Sequence, residues 1–227
     1  MPDKPNSASL TDKAYRQLRS DLLACRLRPG EKLRINDLCQ ILSVSLSAVR
    51  EALSRLTAEG LVIAEPQRGF RAAPISGAEL RDLTQVRVQI EGMCLRRAIA
   101  AGDVGWEERL VAAHHRLTRT PEREPGDASR LSEAWAEAHT SFHRALVSAC
   151  DSPCLLEIRE TLHARSERYR RLSVPLSRAL RPIAQEHEGI MQAALERDAD
   201  RAVGLLSEHL ELTSVILLQA EEKIDCG

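Results

Sequence analysis

Within "SVSLSAVREALSRLTAEGLVIAEPQRGFRAA", Ser43 to Ala73, the apolar pattern changes period. Val49, Leu53 and Leu56 recur at i, i+4 and i+7, the stripe of a helix that must face a core. Gly60 suits the helix stop. "LVIAE" and "GFRAA" then form two short β-prone runs split by "PQR", which together read as a hairpin. A chain with this handover is neither purely helical nor a β-sandwich. It ends a helix directly in a small antiparallel ribbon.

The residues before this run supply the rest of a unit. Helical periodicity starts at Leu10, with Ala14, Leu18 and Leu22 on one stripe and Tyr15 beside them, and Pro29-Gly30 marks its end. Leu33 is placed on a short strand. "INDLCQILS" predicts a second short helix with Leu38, Ile41 and Leu42 facing inward. Ser43 to Ser45 form a tight turn, and Ser45 or Ser47 caps the next helix. Helix, helix, turn, helix and hairpin outline a winged helix-turn-helix over residues 10–75, behind a polar, mobile tail at 1–9.

"APISGAE" reads as a linker. Beyond it, residues 78–222 carry helical patterns at 78–101, 105–119, 129–150, 153–173, 176–197 and 199–222. "TPEREPGDA" is the most polar break and the expected mobile loop. The fold class is therefore mainly α: a winged helix-turn-helix followed by an all-α antiparallel helix bundle. Aromatic residues at 3% fit that reading.

Charge divides the same way. Leu10 to Pro74 holds 11 Lys/Arg against 7 Asp/Glu, whereas Ile75 to the end holds 20 against 25. A basic front suits an anionic polymer, and an acidic remainder suits another task. No signal-peptide core or membrane-length apolar run occurs, and the six cysteines lack C-x-x-C or framework spacing. These features point to a cytoplasmic protein with reduced thiols. Cys150 and Cys154 share a helical spacing, which leaves a metal or redox role beside the plainer one of small core residues.

With Val49, Leu53 and Leu56 inward, the third helix presents Leu46, Ser47, Arg50 and Ser54. Arg50 suits guanine or phosphate, Ser45 and Ser47 suit phosphate, and Arg68-Gly69 sits at the hairpin tip. A generic three-helix domain with solvated arginines is the alternative. "LRPGEKL", "VREALSRLTAEGLV" and "PQRGFR", in this order and spacing, resemble the DNA-binding domain of GntR-type transcriptional regulators, in the FadR-like branch with an FCD ligand domain. The resemblance implies that Ser45, Ser47, Arg50, Arg68 and Gly69 approach double-stranded operator DNA. Leu46 stands where the family usually has arginine, and Ile35 where it has an acidic residue. A changed operator is therefore expected, with Leu46 against a thymine methyl or the sugar.

In the second half, His139 and His143 lie at i, i+4, while His187 and His209 fall on two later helices. Spacing alone leaves open a solvated face, a hydrogen-bonded edge or a site for a divalent metal ion. "RDLTQVRVQIEG", "FHRALVSACDSPCLLE" and "EHEGIMQAALERDADRAVGLLSEHL" resemble the FCD domain. That resemblance implies metal ligands at His143, His187 and His209. The fourth position is His139, where the family usually has Asp, unless His139 turns away. Four imidazoles favour Zn²⁺ or Ni²⁺ over Mn²⁺.

Arg87 matches a family arginine aimed at a carboxylate effector. Its alternative is an exposed i, i+4 pair with Glu91. Ser152 replaces a family Asn, and His114, His115 and His163 are expected to be solvated; the basic stretch 166–182 reads as a solvated face, with a second DNA-facing surface as its alternative. The implied function is a homodimeric transcriptional regulator, repressor or activator, that answers to a small organic acid. The rivals are a metal-dependent hydrolase, with Glu186 or Glu188 as base, and a regulator whose metal is purely structural.

Overall fold

The computed structural model describes residues 7–173 and 182–225. They belong to two compact units, residues 1–76 and 77–227. The first six residues of the expected tail lie outside the described residues, and residues 7–9 already belong to helix α1.

In the first unit α1 (Ser7–Leu23) packs on α3 (Leu46–Ala58), with α2 (Ile35–Leu42) against α3. Strand β1 (Lys32–Leu33) pairs antiparallel with β3 (Gly69–Ala72), which pairs antiparallel with β2 (Val62–Glu65). Ala14, Leu18, Leu22, Val49, Leu53, Leu56 and Leu61 form one buried cluster. Fully burying each such leucine or valine side chain contributes about 1.5–3 kcal/mol, against the entropy of ordering the chain.

Turn geometry sets the register between helices. Ser43, at φ 54 and ψ 46, ends α2 in the left-handed region, and its N–H reaches the carbonyls of Cys39 and Gln40. Gly60 does the same after α3 at φ 72, where no Cβ opposes the conformation. Ser45 is the cap of α3, its Oγ accepting from the Ala48 N–H at 3.3 Å.

One inward expectation fails here: Ile41 is 76% exposed. Leu38 and Leu42, four residues apart on the short α2, take the core-facing stripe, and Ile41 falls beside it.

The second unit is built from α4 (Gly77–Ala101), α5 (Val104–Arg119), α6 (Glu133–Leu146), α7 (Pro153–Ser173), α8 (Ile183–Leu195) and α9 (Ala199–Asp225). Helix α4 packs on α7 and α9, α5 on α6 and α8, and α8 on α9. Trp106, Leu95, Leu110, Phe142, Leu146 and Ile190 lie in its core. Asp103 starts α5 by accepting from the Trp106 N–H at 2.8 Å, and the Trp106 indole N–H donates to the Ala145 carbonyl at 3.0 Å. The cap and the buried indole thus join α5 to α6.

Three further expectations change in this unit. The polar break "TPEREPGDA" is a β-hairpin, not a loop: β4 (Arg123–Glu124) pairs antiparallel with β5 (Asp127–Leu131). Pro125-Gly126, with Gly126 at φ 92, makes its turn. The helix expected from residue 129 consequently starts at Glu133, capped by Ser132. The basic stretch 166–182 is not a solvated face where it is described. Glu167, Arg168 and Tyr169 are buried, and Arg170 and Arg171 both pair with Glu167. Residues 174–181 lie outside the described residues, as does the start of the helix expected from 176.

Candidate metal centre and nucleic-acid interface

Helix α6 carries His139 and His143 one turn apart, α8 carries His187 and α9 carries His209. All four imidazoles are buried, and their potential ligand atoms lie within 4.8 Å of one another. The Nε2 atoms of His139 and His143 are 3.2 Å apart. Tetrahedral zinc with Zn–N bonds of about 2.0–2.1 Å needs nitrogens about 3.3 Å apart, so this pair is already at that spacing. The widest separation needs a modest contraction.

Burial, and after it the neighbouring imidazoles, hold His139 and His143 well below the ordinary histidine pKa. Both are therefore neutral near pH 7, the form that ligates a cation. The Glu186 carboxylate lies 2.7 Å from His209 Nδ1, a contact that orients the ring. Four imidazole nitrogens at this spacing fit a divalent cation of borderline softness.

His139 and His209 also line a cleft with Arg87, His163, Glu167 and Arg170. The i, i+4 pair of Arg87 with Glu91 forms, but it is buried instead of exposed: the side chains are 13% and 1% exposed. Arg159 donates to the other Glu91 oxygen at 2.9 Å and is itself 0% exposed. Glu91 thus anchors two guanidiniums in the interior, and Arg159 keeps a second partner in Glu160 at 2.8 Å, so removing Glu91 would strip Arg87 of its carboxylate partner first. Arg87 also lies 3.1 Å from His163 Nδ1. A guanidinium only donates, so Nδ1 accepts and the His163 proton sits on Nε2.

His163 was expected in solvent and is buried, because α7 turns it onto α4 and α6. Burial, then Arg87 and Arg159, keep it well below the ordinary histidine value. His114 is likewise half-buried against Phe142, and only His115 is exposed. Glu186 is engaged with His209 and Glu188 is exposed, so neither stands as a general base at the cluster. Cys150 precedes α7 while Cys154 lies on it, so their four-residue spacing is not a helical one. The first is buried, the second exposed. Ser152 caps α7, its Oγ accepting from the Leu155 N–H at 3.4 Å.

On the first unit Ser45, Leu46, Ser47 and Arg50 are all exposed at the start of α3, and Leu46 is 44% exposed. The hydroxyls of Ser45 and Ser47 are 3.0 Å apart. Arg68 and Gly69 are exposed where β2 turns into β3, and Gly69 takes φ 93. The spacing of residues did not single out Trp135, Glu186 as a histidine partner, or the Glu91–Arg159 pair. Trp135 alone left a local trace, four residues before His139 on one helix.

Comparison with known proteins agrees with both units. Residues 10–71 match the gntR family of bacterial regulatory proteins, and residues 82–212 match the FCD domain. The HTH-type transcriptional regulator BphR of Paraburkholderia xenovorans is 39% identical over 214 residues, covering 94% of this chain and 87% of its own. The HTH-type transcriptional repressor GlaR of Escherichia coli is 36% identical over 210 residues, covering 90% and 94%. Among solved structures, E. coli McbR/YncC superposes with a TM-score of 0.76 at 23% identity, over 94% of this chain and 99% of that one, a likeness of fold. No helix among the described residues is long and apolar enough to cross a membrane.

Proposed function

The chain belongs to the gntR family of bacterial regulators and carries an FCD domain, and from that premise we propose a repressor released or retained by a metal-bound organic acid. It is a DNA-binding transcriptional regulator, and its relatives are regulators, not enzymes. Regulators of this kind typically act as dimers with small-molecule effectors. In this reading two copies each present one winged helix to half of a pseudo-palindromic operator. Ser45, Ser47, Arg50, Arg68 and Gly69 approach the DNA, and Leu46 occupies the base-reading position. Repression is supported by the printed role of GlaR, the repressor 36% identical to this chain.

The observation that carries the effector side is the buried four-histidine cluster opening on a cleft lined by Arg87. His139, His143, His187 and His209 would hold Zn²⁺ or Ni²⁺. Such an ion would supply a Lewis-acidic point for a carboxylate if its coordination expands beyond the four imidazoles or one of them yields its place. Arg87, steadied by Glu91 and His163, offers donors to the same anion. An effector that binds the DNA-competent and incompetent states unequally then shifts operator occupancy by its differential affinity.

The test is elemental analysis of untagged protein purified without chelator, beside His139→Ala and His143→Ala, followed by operator binding with chelating organic acids. About one Zn or Ni per chain is expected from four ligands in one site, lost in the His143 variant and weakened in the His139 variant. Loaded protein whose operator affinity ignores every acid would indicate a structural metal. Wild type that retains no metal after loading would refute the centre and leave the DNA-binding unit untouched.

A further inference from the structure

Among the described rings of the cluster, His139 alone lies stacked on a neighbouring side chain. Its imidazole is 4.8 Å from the Trp135 ring at an interplanar angle of 22°. It meets the other cluster rings less evenly, at 58° to His143, 62° to His187 and 35° to His209, the last at a centroid distance of 6.1 Å. Trp135 sits four residues earlier on α6 and is 4% exposed. The Arg170 guanidinium lies 5.1 Å from the Trp135 ring and is paired with Glu167. Arg170, Trp135 and His139 therefore form one continuous run of stacked groups beside the cleft.

The ring of a metal-ligating histidine is usually fixed by a hydrogen bond on its second nitrogen. His209 has that contact in Glu186. His139 does not, since its buried Nδ1 has no hydrogen-bond partner among the described residues. His143 shares the lack, but it is enclosed by the rings of His139, His187, His209 and Phe142, all with centroids within 5.4 Å. His139 also meets the rings of His143 and His187, but those are candidate ligands themselves, and the non-ligand ring stacked on it is Trp135.

We propose that Trp135 is a positioning residue for the metal centre, its indole face holding His139 in the ligating orientation in place of a hydrogen bond. This rests on the reading of the histidine cluster as a metal site. A carboxylate at position 139 would gain nothing from an aromatic face, whereas an imidazole does, so the stack suits the histidine that this chain has there. Trp135 is neither one of the candidate ligands nor part of the cleft lining. It acts through His139.

The experiment is a Co²⁺ titration of the chelator-stripped full-length protein, read by its d–d absorption and by Zn²⁺ competition. Trp135→Phe keeps a flat face. Trp135→Leu and Trp135→Met keep bulk without a ring, and circular dichroism selects whichever of the two folds. Removing an outer partner of a ligand typically lowers metal affinity by about 10–100-fold, and that loss is expected for the ringless variant, with Trp135→Phe close to wild type. Its Co²⁺ spectrum should match that of His139→Ala, and the double variant should bind no more weakly than His139→Ala alone. Combined with His209→Ala, in contrast, the losses should add. Unchanged affinity in the ringless variant, or a loss that adds in full to His139→Ala, overturns the positioning role alone. A wild type that binds no Co²⁺ overturns the metal reading and this role with it.

Discussion

Lowering the pH should unfasten the helical unit of the metal-free protein well before its carboxylates titrate. His139, His143 and His163 are each 5% exposed or less, and burial holds all three well below the ordinary histidine pKa. In the unfolded chain each takes a proton near pH 6.5. The native state refuses that proton, so the unfolded state gains it as pH falls. The stabilisation is complete above the unfolded pKa. It declines by about 1.4 kcal/mol per pH unit for each imidazole below it, and levels off only beneath the native pKa. From pH 7.5 to 5.5 three such groups remove about 4 kcal/mol, a large share of a typical stability of about 5–15 kcal/mol. The equivalent fall in Tm is about 8–16 °C for a protein of this size. Both tryptophans, Trp106 and Trp135, belong to the helical unit. Urea titrations of chelator-treated protein followed by tryptophan fluorescence therefore report on it directly. His163→Gln should remove about a third of the pH dependence, one imidazole in three. A stability difference below about 1 kcal/mol between the two pH values would mean that these imidazoles accept protons in the native fold, against the burial argued here.

Two substitutions in the first unit test its local physics. Ser43 pays for a left-handed conformation that costs a non-glycine residue about 1–2 kcal/mol, partly offset by the greater freedom of glycine in the unfolded chain. Ser43→Gly should therefore stabilise the unit by about 0.5–1 kcal/mol, measured as a rise in its calorimetric transition, and no rise would show that the side chain holds a compensating contact. Leu46→Arg should move the preferred base at one position of each half-site by about 1–3 kcal/mol of discrimination. Selection from a random-site library that returns the wild-type operator would remove Leu46 from the reading face.

What the sequence revealed of the fold follows from periodicity. The stripe Ala14, Leu18 and Leu22 and the stripe Val49, Leu53 and Leu56 recur at helical spacing, and all six are buried. The hairpin was equally legible, because a glycine stop and two β-prone runs are local signals. The failures have physical reasons too. Ile41 sits on a helix of only 8 residues, too short for periodicity to choose between adjacent faces. "TPEREPGDA" is polar because its strands are short and β4 is only half-buried, so composition hid a hairpin whose real signal was Pro125-Gly126.

The histidine cluster was half legible for the same reason. His139 and His143 announce themselves four residues apart on one helix. His187 and His209 stand out only as histidines on two later helices, since nothing local ties α8 and α9 to α6, and the resemblance is what makes them ligands. The charged support is less visible still. Glu91 and Arg159 are 68 residues apart, and each reads alone as a solvated helix residue. Packed together they become a buried pair whose desolvation is tolerable only while both partners remain. That pair in turn fixes Arg87, which donates to Glu91 on one side and His163 on the other. A lone arginine on a long flexible stem would approach an anion in many geometries. Arg87, which lines the cleft, is held in one by these bonds, which would limit the side-chain entropy lost if an anion bound there. A buried ion pair is weak evidence for stability, since hydrophobic residues of similar volume often hold helices together as well, and what the Glu91–Arg159 pair adds here is a fixed partner for Arg87.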